Sequence, residues 1–249
     1  MNNNPFSLEN KTILVTGASS GIGYETCSAI SRQGGTFIAV ARRVELLEKL
    51  IQEFGNKNSF IQADLTKIED IQYVIDTIPN IDGIVHSAGV VKLAPVKFYT
   101  KEFMDSIRET NFDSITLLVN LITKKKKINK GSSIVLVASI AGLFGMKGNG
   151  IYAASKAALI AISKVWASEF SINRVRVNCV SPGMVKTDIT NKSIEDLSLE
   201  VIQQDEKKYP LGYGEPSQVA NPIIFLLTEA SSWITGQNLV LDGGRTAVI

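Results

Sequence analysis

The feature that most restricts how this 249-residue chain can fold is a repeated change of hydrophobic period. Short β-rich runs at Thr12–Thr16, Thr36–Ala41, Ser59–Ala63, Gly83–Ser87, Ser133–Ser139, Arg176–Ser181 and Asn238–Leu241 alternate with helical patterns at 21–33, 44–54, 67–77, 100–127, 151–171 and 217–229. Several of the runs are almost continuously apolar, as in the segment Ile134–Ala138 (IVLVA). Strands read this way when helices cover both faces of a parallel sheet. The alternation predicts right-handed βαβ units and a doubly wound α/β fold, its mostly parallel seven-stranded sheet flanked by helices on both faces. No repeat or Ser/Gly/Pro linker divides the chain, so residues 1–249 read as one domain. Residues 186–215 break the rhythm as a long, weakly periodic insertion, which reads as a substrate lid.

Composition excludes several classes of function. The balance of 26 basic and 24 acidic residues, net +2, is too small a surplus for a nucleic-acid coat. No apolar run approaches the ~20 residues of a membrane span, and the start MNNNPFSLENK lacks the features of a signal peptide. Cys27 and Cys179 have no metal-ligand spacing and read as reduced packing residues of a cytoplasmic protein. With His86 the sole histidine, no metal site is expected.

Three constellations carry chemistry. Thr16-Gly17-Ala18-Ser19-Ser20-Gly21-Ile22-Gly23 follows the first strand and opens the first helix. Glycines there let the chain turn sharply and let a pyrophosphate approach the N–H groups of a helix N-terminus, a Rossmann arrangement. The alternative is a glycine-rich turn that binds nothing. At the end of the second strand stand Arg42 and Arg43, where an NAD-preferring fold has a carboxylate for the ribose hydroxyls. A guanidinium suits a 2′-phosphate, which points to NADP with the preference carried mainly by Arg42; the alternative is two solvated arginines at a helix start, where cations oppose the dipole. Tyr152 and Lys156 are one helical turn apart. An ammonium beside a phenol lowers its pKa from ~10 and makes a general acid–base, although the same spacing also occurs in ordinary surface pairs.

Together these residues resemble the short-chain dehydrogenase/reductases along essentially the whole chain. TGASSGIG is similar to that family's cofactor turn, which implies cofactor contacts at Gly17, Ser19, Ser20, Gly21, Ile22 and Gly23. YAASK resembles its catalytic Tyr–Lys pair, with Ser139 thirteen residues before Tyr152 and Asn111 completing a tetrad. The resemblance further implies adenine contacts at Asp64 and Leu65, close cofactor approach at Ala88 and Gly89, and a nicotinamide side formed by Pro182, Gly183, Val185 and Thr187. It gives Lys156 a second role on the nicotinamide ribose and Asn111 a water in the proton relay. One departure stands out: the family's Asn-Asn-Ala-Gly is His86-Ser87-Ala88-Gly89 here, so bracing between strands is expected to be weaker or routed differently. His86 reads as structural.

The resemblance implies NADP(H)-dependent hydride transfer between nicotinamide and a ketone or secondary alcohol, most similar to 3-oxoacyl-[acyl-carrier-protein] reductases. The alternatives are a sugar or small-alcohol dehydrogenase and an NADP-sensing protein without turnover. A hydrolase or transferase with Ser139 as nucleophile is weaker, because no histidine other than His86 could activate it. A homotetramer is the family expectation. The run Lys124–Lys127, with Lys130 and Arg174, reads either as a solvated helix end or as a basic patch beside the site entrance, where an acyl carrier protein would dock.

Overall fold

A computed structural model describes residues 4–187 and 199–247. Seven strands form one sheet in the order β3-β2-β1-β4-β5-β6-β7. They are β1 Thr12–Thr16, β2 Thr36–Ala41, β3 Ser59–Gln62, β4 Ile81–His86, β5 Ile128–Val137, β6 Arg176–Pro182 and β7 Asn238–Leu241. Every pairing within the sheet is parallel, so the expected mostly parallel sheet is wholly so among the described residues. The helices are α1 Gly21–Arg32, α2 Val44–Phe54, α3 Ile68–Thr77, α4 Lys101–Arg108, α5 Ser114–Lys124, α6 Gly150–Glu169, α7 Leu199–Glu206 and α8 Pro216–Leu227.

The continuous apolar runs have the cause expected of them. Alternate residues of each central strand enter two separate cores. Leu14, Ile38, Val40, Ile84, Ile134 and Leu136 pack with Ile71 and Val74 of α3, Leu118 and Ile122 of α5, and Leu159 of α6. Ile13, Val15, Phe37, Ala39, Val85 and Val135 pack on the other face, with Ile30 of α1, Leu47 of α2, and Ile223 and Leu227 of α8. Both cysteines are free and buried in these layers, Cys179 in the first and Cys27 in the second.

The single helix expected at 100–127 is two helices. Thr100 caps α4 by accepting from the Phe103 N–H at 3.1 Å. A π-helical turn at Glu109–Asp113 then joins α4 to α5. Helix α5 stops at Lys124, because Lys126 takes a left-handed conformation (φ 54°). The Lys126 N–H donates to Thr123 O and the Lys127 N–H to Ile122 O, a Schellman ending. The expected lid falls partly outside the described residues, which lack 188–198. Its two ends are tied together where the Lys186 N–H donates to Gly214 O at 2.8 Å and the Gly214 N–H to Met184 O at 2.9 Å.

Candidate active site

Parallel strands leave all their C-terminal ends on one edge of the sheet, and a cleft of about 630 Å³ lies along it. Of the site residues expected from sequence, all but Gly23 and Asn111 line this cleft. Gly17 forms its floor with φ +67°, and a Cβ there would stand 2.6 Å from Ala88 N and 2.7 Å from its Cα. The bare backbone this enforces, followed by the first turn of α1, fits a dinucleotide pyrophosphate. Gly23 acts from behind: a Cβ would fall 2.3 Å from Gly17 O, so this glycine lets α1 seat against the turn.

The cleft narrows in character from one end to the other. At its basic end Arg43, which sequence reasoning grouped with Arg42 without giving it a contact, donates from Nη2 to Ser19 Oγ (2.9 Å) and Ser20 Oγ (2.7 Å). Arg42 lies beside Asp64 instead. Burial alone would raise the Asp64 carboxyl, but the Thr66 hydroxyl and amide, with Arg42 nearby, hold it below the usual carboxylate range. The two guanidiniums therefore serve different parts of the cleft. The signal for Arg43 was its position two residues beyond the strand; its partners, 23 and 24 residues away, were not readable.

At the other end Ser139 leaves β5 and caps a single 3₁₀ turn, its Oγ accepting from the Ala141 N–H at 3.1 Å. Tyr152 and Lys156 project from the first turns of α6, with the Lys156 ammonium 5.8 Å from the Tyr152 ring centre. Lys156 is buried and donates to Val137 O at 2.8 Å. Burial pulls its pKa down to about 8. The Tyr152 phenol moves the other way from the sequence expectation: burial raises its pKa, while its hydrogen bond with Ser139 opposes that rise. Withdrawal from water outweighs the Ser139 hydrogen bond. Asn111 is fully buried in the π-helical turn and its amide is committed. Its Oδ1 accepts from the Val90 N–H (2.8 Å), and its Nδ2 donates to Val90 O (3.0 Å) and Ser155 Oγ (3.1 Å). Its side chain is thus a brace, which leaves only its main chain for any relay.

The bracing between strands is rerouted, as the His86-Ser87 departure implied. Thr16 Oγ1 on β1 lies 2.9 Å from His86 Nδ1 and accepts from the Ala88 N–H at 3.3 Å. The basic patch expected beside the entrance is not there in this chain. Lys124–Lys127 precede β5, and the Ile81 N–H at the start of β4 donates to Lys127 O, so the run lies at the N-terminal strand edge. At ~3.3 Å per residue, the five steps of β4 that pair with β5 from Ile128 to Leu136 put it roughly 17 Å below the level of Leu136, with Ser139 beyond that. Arg174 and Lys130, just before β6 and near the start of β5, share that edge. Lys127 has a structural use, donating from Nζ to Ile78 O at 2.6 Å.

Comparison with known proteins places this geometry in context. The model of the family described as Enoyl-(Acyl carrier protein) reductase matches residues 17–246. A 3-oxoacyl-[acyl-carrier-protein] reductase of Thermotoga maritima is 32% identical over 245 residues, covering 95% of this chain and 98% of the relative. An NAD-dependent glycerol dehydrogenase of Listeria innocua is 31% identical, covering 97% of this chain and 96% of the relative. Among solved structures, a Beutenbergia cavernae protein with bound NADP at low occupancy superimposes with a TM-score of 0.89 at 28% identity, covering 98% of this chain and 100% of its own.

Proposed function

Because this chain belongs to the short-chain dehydrogenase/reductase family of oxidoreductases, we propose that it reduces a ketone to a secondary alcohol with NADPH, on a 3-oxoacyl thioester presented by acyl carrier protein. The observation that carries this reading is one continuous cleft, with Arg43 clamped to the glycine-rich turn at one end and Ser139, Tyr152 and Lys156 gathered at the other. The likeness to the Thermotoga reductase supports the substrate. The Listeria relative keeps small polyols as a second reading.

Gly17, Ser19, Ser20, Gly21 and Ile22 would hold the pyrophosphate, Arg43 the 2′-phosphate, and Asp64, with Arg42 beside it, and Leu65 the adenine. Ala88, Gly89, Pro182, Gly183, Val185 and Thr187 would border the nicotinamide. The bound cofactor supplies the hydride. Ser139 donates to the substrate carbonyl oxygen and sets it against Tyr152, which gives up the phenolic proton as charge develops there. Lys156 holds positive charge beneath the phenol in a buried site, where it acts more strongly than it would in water. Assembly as a homotetramer is supported by half-exposed apolar side chains on three elements: Leu117 of α5, Val165 of α6, and Leu239 and Val240 of β7.

Initial rates with NADPH against acetoacetyl thioesters, free and carrier-bound, and against polyol-derived ketones test the substrate. Tyr152→Phe should retain NADPH binding and lose at least about 99% of kcat, since a positioned general acid contributes about 10²–10⁴-fold. Retention of a tenth of the rate would give the proton to another group. Turnover of polyol ketones alone would leave the hydride chemistry and remove the thioester.

A further inference from the structure

His86 is the ionisable group beside the reaction centre that this chemistry leaves unused. Its side chain is fully buried at the end of β4, and its Nε2 has no hydrogen-bond partner among the described residues. Thr16 Oγ1 accepts from the Ala88 N–H and pairs with His86 Nδ1; with the Asn111 main-chain carbonyl also facing the ring, the arrangement that uses the Thr16 proton has the hydroxyl donating to Nδ1 and the neutral ring carrying hydrogen on Nε2. An N–H donor left unpaired in the interior is costly, which makes its surroundings informative.

Those surroundings are polar on two sides. The main-chain carbonyl of Asn111, in the π-helical turn, faces the ring and favours its protonation, whereas the Lys156 ammonium opposes it. Lys156 has three N–H donors and commits one to Val137 O. Gly89 lies beside both Asn111 and Lys156: a Cβ there would stand 3.4 Å from Asn111 Oδ1 and from Lys156 Nζ. The other ionisable group acting on Lys156 is the Cys179 thiol on β6, which burial pushes up to about 11.

We propose that His86 is a positioning residue for Lys156: its Nε2–H joins the Asn111 main-chain carbonyl in holding, against the ammonium, the relay water that the family resemblance implies, and Thr16 fixes the imidazole that holds it. A buried water takes two to four polar partners, and this space offers a ring donor, a carbonyl acceptor and an ammonium donor. The water accepts from Lys156 and so favours its charged form. Burial keeps the ring itself neutral, with a pKa near 3. The inference rests on Lys156 supporting the Tyr152 proton transfer, and it explains the use of His86-Ser87 where the resembling family has Asn-Asn.

The test exploits His86 being the single histidine of the chain. Untagged protein labelled with ¹⁵N-histidine gives one pair of ring-nitrogen signals. They should report one neutral tautomer, protonated at Nε2, from about pH 5 to about pH 9, where an ordinary histidine would titrate. The Nε2 signal should shift when Lys156→Met removes the ammonium. A ring that titrates in that range, exchanges tautomers or ignores Lys156→Met overturns the proposal. These readings need no substrate, so they stand apart from whether the hydride chemistry is correct. In the catalytic assay, His86→Leu should lower kcat about tenfold, the value of roughly one hydrogen bond, with cofactor KM within about twofold. It should also move the alkaline rise of alcohol oxidation to higher pH, and His86→Asn should restore most of the rate. A loss of rate that is equal at every pH overturns the proposal. If His86→Leu does not fold, Thr16→Val replaces it: loss of the single tautomer supports the arrangement, and an unchanged spectrum overturns it.

Discussion

Replacing Arg43 by alanine should separate the two nicotinamide cofactors. Its guanidinium stands at the mouth of the cleft, exposed to solvent, with Nη2 held 2.9 Å from Ser19 Oγ and 2.7 Å from Ser20 Oγ. On the proposed reading its remaining donors serve the 2′-phosphate. A charge-assisted hydrogen bond contributes about 1.5–3 kcal/mol, and exposure favours the lower end because solvent screens the charge. About 1.5 kcal/mol corresponds to roughly a tenfold change in Kd. Titration by nicotinamide fluorescence should therefore show NADPH affinity falling about tenfold in Arg43→Ala, while NADH affinity changes less than about twofold. Raising the salt concentration should weaken NADPH binding in the wild type more than in the variant. Arg42→Ala should act differently, because Arg42 lies beside Asp64: the carboxyl loses a neighbouring cation and rises toward its ordinary range, weakening both cofactors together. Equal losses for NADPH and NADH in Arg43→Ala would refute the clamp. Selective loss confined to Arg42→Ala would move the phosphate to Arg42.

Lys156→Met should abolish turnover yet stabilise the fold at neutral pH. The native pKa of Lys156 is about 8 against 10.5 for the free side chain, so the cost of burying its charge is full below pH 8 and fades as pH rises to 10.5. The melting temperature of the variant should exceed that of the wild type at pH 7, with the gap narrowing across that window; a constant gap would mean the effect is packing alone. Gly17→Ala should eliminate measurable cofactor binding with the circular dichroism spectrum little changed, because its Cβ would meet the Ala88 backbone at 2.6 Å in a left-handed conformation; retained binding would show that the turn can yield. Lys124→Glu with Lys125→Glu should leave KM within about twofold for small and carrier-bound substrates alike, since the run lies at the opposite strand edge and screening limits its reach to about 10 Å. A severalfold rise restricted to the carrier-bound substrate would contradict this placement.

The sequence by itself determined the elements whose information is local. Runs such as Ile134–Ala138 report two covered faces, and α1, α2 and α8 begin and end within two residues of where their periodicity places them. The glycine-rich turn and the Tyr152–Lys156 pair were legible for the same reason: backbone conformation and helical spacing are set by residues adjacent in the chain. What the tertiary structure decided was every relation across strands. Thr16 meets His86 because β1 and β4 are neighbours in the sheet, at a separation of 70 residues. Arg43 reaches the turn because β2 lies on the other side of β1. Asn111 spends its amide on Val90 and Ser155, contacts across elements that make its side chain a brace. The lysine run read as a continuation of a helix, yet the left-handed Lys126 ends it and the parallel sheet carries it to the far edge from the cleft. Even the expected sign of the Tyr152 shift failed, since spacing gives the distance to an ammonium but not how much water burial removes from the phenol. Local pattern fixes the elements; the order and direction of the strands fix which of their ends share a site, and burial then sets the chemistry there.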